Sequence, residues 1–234
     1  MPSQSVNPRT GETFGPVIPD TEAAELDRIV QAAAAASATW AATSPAHRAT
    51  ALDAVADAPD ADAARLAAIA DEETGLGLPR LVGEVGRTTF QLRMFATALR
   101  AGDLDGVVID SAVAGDPPAG HAEMRRVLVA LGPVAVYGAS NFPFAFSVLG
   151  GDTASALAAG CPVVAKAHPS HPQTSQAVAD LAIDALATAG APEGTLALVH
   201  GFEAGIALIE HPAKMTHASV AGTDLEVPAA LIRL

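Results

Sequence analysis

The sequence predicts an α/β fold in which a doubly wound parallel sheet follows a set of N-terminal helices and a protruding β-hairpin. Three observations carry this prediction. Apolar residues recur at helical spacing through the first hundred residues, beginning with Leu26, Ile29 and Val30. From Leu131 onward short, continuous apolar runs alternate with helical segments, as in a parallel sheet covered on both faces. Half of the 234 residues are hydrophobic but only 4% are aromatic, and abundant alanine lets helices and strands approach closely in layers.

The elements follow in order. Val6 to Asp20 is rich in Pro, Gly and Thr and reads as an extended arm with turns. Thr21 can cap a first helix that runs to about Trp40, with Glu22 and Glu25 at its positive end. A second helix starts after Pro45. A third spans Asp60 to Gly75 or Gly77, and a fourth Pro79 to Leu99 with Gly102 beyond its end. Val107–Ile109 and Glu123–Ala130 read as two strands joined by a loose loop at Gly115 to Gly120. Strands are then expected at Pro133–Tyr137, Pro162–Ala165 and Thr195–Val199. Helices are expected at Phe144–Ala159, at Pro172–Ala189 closed by Gly190, and at Glu203–Glu210. These patterns divide the chain into helices (1–102), hairpin (103–130) and sheet (131–234).

A formal net charge of -13 repels phosphate backbones, which argues against nucleic acid as a partner. The single cysteine, Cys161, permits no internal disulfide. No apolar run reaches about 18 residues, so no membrane span is expected. The opening MPSQSVNPRT has no apolar signal core, and a reducing, cytoplasmic setting is expected.

Parallel sheets bind ligands outside the carboxyl ends of their strands, so the chemistry is sought there. After Tyr137 the chain reads GASNFPFAFS. Gly138 permits an unusual turn, and Asn141 can aim its amide at a developing oxyanion or cap the next helix. The segment AAGCPVVAKAHPSHP places Lys166 just after a strand, where it can meet ribose hydroxyls or a phosphate, or rest in solvent. Cys161 lies at the opposite, amino end and reads as a small buried hydrophobe. His168 and His171 sit beside Pro169 and Pro172 in a loop with no clustered carboxylate or thiol, so no metal is expected. Neither G-x-G-x-x-G nor a Walker lysine is present.

Taken together, VNPRTGE, the helix ending at Trp40, the pair Arg125–Arg126, LGPVAVYGASNFPF and ALAAGCPVVAKAHPSHP resemble the aldehyde dehydrogenase superfamily in order and spacing. The likeness extends from Val6 to about Lys214. It is strongest to the branch holding α-ketoglutaric semialdehyde (2,5-dioxovalerate) and NADP-dependent fatty aldehyde dehydrogenases. The resemblance implies a Rossmann-like fold and NAD(P)-dependent oxidation of an aldehyde to a carboxylate. It makes Asn141 the oxyanion donor, Lys166 the ribose-binding lysine, and Gly138, Ala139 and Ser140 the backbone lining the cofactor. His168, Pro169, Ser170, Gly201, Gly222 and Thr223 complete the implied cofactor set. Members preferring NAD often carry a glutamate three residues after the lysine; Pro169 stands there, so NADP is expected over NAD. The hairpin matches an element that builds homo-oligomers.

The same resemblance places the nucleophilic cysteine and the general-base glutamate in a part of the family chain that this sequence does not reach. SVAGT stands where the family has F-T-G-S, and EVPAALIRL departs from the family pattern. A shifted frame, a truncated gene or a sequenced gene fragment would explain the departure after Asp224. The chain alone is therefore expected not to oxidise aldehydes. The rival expectations are a non-catalytic protein that binds a dinucleotide or pairs with intact subunits, and an unrelated reductase. The latter would need a catalytic Tyr or His, and Tyr137 lies within a strand.

Overall fold

The computed structural model of the chain describes residues 2–211 and the strand His217–Val220. The opening arm forms an antiparallel pair, β1 (Ser3–Val6) and β2 (Thr13–Ile18), turned at Gly11. Helix α1 (Ala23–Ala42) buries Leu26, Val30, Ala33, Ala36 and Trp40, one stripe at three- and four-residue spacing. Thr21 does not cap it. Its hydroxyl accepts from the backbone N–H of His200 (2.9 Å) and its own N–H donates to the His200 carbonyl (2.9 Å), so it clamps the arm to the far end of the sheet. Glu22 holds the cap position without a side-chain bond.

Helix α2 (Pro45–Ala61) starts as read, with Pro45 in the first turn and Ser44 accepting from the His47 N–H. Helices α3 (Ala63–Thr74) and α4 (Leu78–Ala101) end at Gly75 and Gly102, whose φ values of 68° and 77° release the last carbonyls. The hairpin is real but short: β3 (Val108–Asp110) pairs with β4 (Met124–Arg126), followed by one bridge between Val113 and His121. The expected strand to Ala130 stops early because Leu128 turns its N–H to Asp105 rather than continuing the ladder.

Four parallel strands follow, β5 (Val134–Tyr137), β6 (Val163–Lys166), β7 (Leu196–Val199) and β8 (His217–Val220), in the order β7-β6-β5-β8. Their helices are α5 (Gly151–Ala158), α6 (Pro172–Thr188) and α7 (Phe202–Glu210). Alternate strand residues feed two cores. Val134, Val136, Val163 and Ala165 pack with Trp40, Leu52 and Leu157 on one face. Ala135 and Val164 pack with Leu26, Val30, Val199 and Leu208 on the other. This is the doubly wound, Rossmann-like arrangement that the apolar runs predict.

One expected helix is wrong. Phe144–Ala159 is helical only from Gly151, and residues 143–150 form successive turns and bends. The N–H groups of Phe144 and Ala145 donate to Glu84 Oε1 (2.8 and 3.0 Å), a carboxylate from α4. Gly150 then packs so closely on the Ala145 carbonyl that a Cβ there would lie 2.4 Å from it.

Candidate cofactor groove

The order of strands reverses at β5, whose neighbours β6 and β8 come later from opposite sides. Such a switch point opens a crevice at the carboxyl ends of the strands. Tyr137 and Lys166 are register partners at that edge, so the loops after β5 and β6 start side by side. They are tied together: the Gly138 N–H donates to the Lys166 carbonyl (3.1 Å), and His171 Nε2 donates to the Ala139 carbonyl (2.9 Å).

Lys166 is half-buried, its stem lying over Gly205 of α7. A Cβ on Gly205 would sit 3.3 Å from Lys166 Cε. Tyr137 fixes that helix by donating its hydroxyl to the Gly205 carbonyl (2.6 Å). Burial lowers the proton affinity of the Lys166 ammonium, and the nearby Asp20 carboxylate partly opposes this. A small cleft of about 120 Å³ is lined by Lys166, His168, Pro169 and Gly201, with Ser3 of β1 and Phe202 as walls. An adjoining cleft of about 410 Å³ is bordered by Ser140, Pro169 and Ser170. Pro169 borders both, so five expected side chains and Gly201 gather along one edge.

Asn141 lines neither cleft. It is exposed beside Ser140, and its backbone carbonyl accepts from Arg80 Nη2 (2.8 Å). It caps no helix, because α5 begins at Gly151 with Gly150 in the cap position. Gly222 and Thr223 lie outside the described residues. A mainly apolar depression of about 450 Å³ lies at the opposite edge among Ile29, Ile183, Leu186 and Leu196, away from the expected site residues. Cys161 is buried just before β6, at the amino edge.

The histidines are structural donors and acceptors. His171 is fully buried; with Nε2–H given to Ala139, its Nδ1 accepts from the Ser175 hydroxyl (3.2 Å). His168 Nδ1 accepts from the Ser170 N–H (3.1 Å), and its ring stacks on that of His171. Burial first, then His171 and Lys166, pushes His168 down to about 4. His200, bonded to Gln176, is likewise pushed to about 4 by burial and Lys166.

Two buried carboxylates set these loops and escaped the sequence reading. Glu84 receives the loop after Asn141, as above. Glu73 accepts from the Gln173 and Thr174 N–H groups (2.9 and 2.8 Å), from the Thr174 hydroxyl (2.6 Å) and from Ser5. It thereby supplies the first-turn acceptors of α6 from another helix. Their signal was available: each lies on the buried stripe of its helix, three residues after Ala70 or Leu81, where a carboxylate must have partners.

A parallel sheet with its polar loops gathered at the switch point defines a Rossmann-like α/β protein. The aldehyde dehydrogenase family model matches residues 2–223, and the chain belongs to that family of NAD(P)-using oxidoreductases. It is 42% identical over 209 residues to the alpha-ketoglutaric semialdehyde dehydrogenase of Acinetobacter baylyi, covering 89% of this chain and 40% of that one. It is 44% identical over 213 residues to alpha-ketoglutaric semialdehyde dehydrogenase 2 of Azospirillum brasilense, covering 90% and 41%. A cysteine-to-alanine variant of aldehyde dehydrogenase C from Pseudomonas syringae, solved with NAD+ and octanal, superposes with a TM-score of 0.74 at 25% identity, covering 94% of this chain and 42% of that one. The chain thus spans about 40% of the length of the curated relatives it matches. No helix among the described residues is long and apolar enough to cross a membrane.

Proposed function

We propose that this chain is the cofactor-binding half of an NADP-preferring aldehyde dehydrogenase that converts a semialdehyde to a carboxylate, and that it does not complete the reaction alone. The observation that carries this reading is the convergence of Gly138–Asn141 and Lys166–Ser170 at one sheet edge, locked by the Gly138–Lys166 hydrogen bond. Lys166 donates to the adenosine ribose, and Lys166 with Ser170 receives a 2′-phosphate. Pro169 presents no carboxylate to repel that phosphate. Gly138, Ala139 and Ser140 offer backbone along the cofactor, Gly201 opens α7 beside it, and Gly222 and Thr223 would serve its pyrophosphate. His168 is neutral and lines the ribose side.

A nicotinamide cofactor held in this groove would supply the hydride acceptor for the complete enzyme. Asn141 holds the carbonyl oxygen by its side-chain N–H as charge develops there. Cys161 is the sole cysteine and is buried at the wrong edge, so this chain contributes no nucleophilic thiolate. In this reading residues 1–102 buttress the groove, 103–130 form a bridging unit and 131–234 the dinucleotide-binding core, in a cytoplasmic protein.

Calorimetry with NADP and NAD tests the proposal. Saturable binding, tighter for NADP and weakened roughly tenfold by Lys166→Met, is expected. NADPH production by the purified chain from a semialdehyde would overturn the claim of incompetence.

A second reading, subunit pairing, is favoured by the apolar residues Val107, Ile109, Leu128, Val129 and Leu131, all exposed around the hairpin. A homo-oligomer, or a complex with intact subunits, would cover them. Size-exclusion chromatography with light scattering distinguishes a defined assembly from a monomer or an aggregate.

A further inference from the structure

The groove leaves one group of charges unused. The chain carries 13 Lys and Arg against 26 Asp and Glu, so a basic side chain rarely lacks an acidic neighbour. Arg9, Arg28, Arg65, Arg93, Arg100 and Arg125 each form an ion pair. Arg48 is buried against the carbonyls of Thr43 and Ala158. Three more described arginines pair with no carboxylate among the described residues: Arg126, exposed on the hairpin strand β4, and Arg80 and Arg87, which lie together on α4, seven residues apart, two helical turns and one face.

Aromatic rings hold them in place. The Arg80 guanidinium carbon lies 5.3 Å from the Phe142 ring centroid, and that of Arg87 lies 5.7 Å from Phe142 and 5.0 Å from Phe146. The two rings meet edge to face at 5.2 Å, so the platform itself is set. A ring face orients a guanidinium without neutralising it, and leaves its fork of donors available. Both cations therefore share the Phe142 ring and repel each other until an anion stands between them. Arg80 also reaches the Asn141 carbonyl at 2.8 Å, which puts this pair directly beside the expected oxyanion donor.

We propose that Arg80 and Arg87 form a carboxylate subsite that takes the anionic tail of a semialdehyde whose carbonyl end meets Asn141. The inference rests on the assignment of Asn141 made above. A planar carboxylate fits two guanidinium forks better than a chloride ion or a neutral alkyl tail does. Arg80 and Arg87 are then specificity residues: they select substrates ending in a carboxylate and leave the cofactor to the Lys166 side of the edge.

The test is NMR of the isotope-labelled full chain, reading the arginine Nε–Hε resonances while glutarate is added with NADP present. Glutaramide, of the same length and uncharged, is the control. The Arg80 and Arg87 signals are expected to move saturably with glutarate and not with glutaramide. Arg87→Gln should weaken the glutarate response roughly tenfold or more. Arg80→Gln, with the Trp40 fluorescence confirming the fold, should do the same. Unmoved arginine signals would overturn the subsite. So would equal shifts with glutaramide, or an Arg87→Gln variant that loses self-association instead of the glutarate response. NADP binding is read separately in the same samples. Its absence with an intact glutarate response would count against the cofactor reading and not against the subsite.

Discussion

The groove and the hairpin differ in where their stability comes from. At the groove, loops that carry polar side chains are pinned by buried acceptors. Glu84 takes the two N–H groups after Pro143, Glu73 takes the start of α6, and His171 ties Ala139 to the next loop. The hairpin has only a three-residue ladder and one bridge, while Leu128 and Val129 remain 71% and 77% exposed. The first region has its loop N–H groups satisfied by acceptors from within the fold. The second leaves its apolar surface exposed. Rigid loops require internal polar partners, whereas an assembly surface requires their absence.

That contrast breaks if mutations do not divide along it. The largest effect is expected from Trp40→Ala, since Trp40 is fully buried and its indole N–H donates to the Leu157 carbonyl (3.1 Å). The loss should be about 3–5 kcal/mol in urea denaturation. Glu73→Ala should follow, at about 2–4 kcal/mol, because it strands two N–H groups and two hydroxyls in the interior. A loss near zero would mean that α6 does not depend on its distant acceptor.

A pH series sharpens the comparison further. Burial depresses His168 and His200 to about 4 in the fold, against an ordinary value of 6.5. The unfolded chain binds more protons between those values. Stability should therefore be full above about pH 6.5 and fall as the pH drops through 4. Urea midpoints at several pH values should decline less steeply for His200→Gln than for the parent chain; equal slopes would remove His200 from the account. The smallest stability effect is expected from Leu128→Asp in the hairpin, within about 0.5 kcal/mol, together with a reduced assembly mass in light scattering. A destabilisation comparable to that of Trp40→Ala would erase the distinction between the two regions.

The helical half was readable because one force dominates it. The stripe Leu26, Val30, Ala33, Trp40 and the terminating glycines Gly75 and Gly102 act locally, within a few turns. The parallel strands were readable for the same reason, as apolar runs buried on both faces. What failed was decided at long range. The helix expected from Phe144 is unwound by a carboxylate sixty residues earlier, and Thr21 is drawn from its capping role by His200. Lys166 and Asn141 were singled out from their place after strands, whereas the other loop residues of the groove were singled out by the family resemblance. Arg80 and Arg87 were not, because an arginine on a helix face looks solvated until the fold sets phenylalanine rings beneath it.

The node joining Ser5, Glu73 and Thr174 has a temporal consequence. Ser5 leaves the ribosome among the first residues, its carboxylate partner follows after nearly seventy more, and the threonine arrives a further hundred later. Until then the opening strand has β2 beside it but not its buried partners Glu73 and Gln173, and the wall that Ser3 gives to the Lys166 cleft cannot be set. The Lys166 cleft is thus completed late in synthesis, although one of its walls is made almost first.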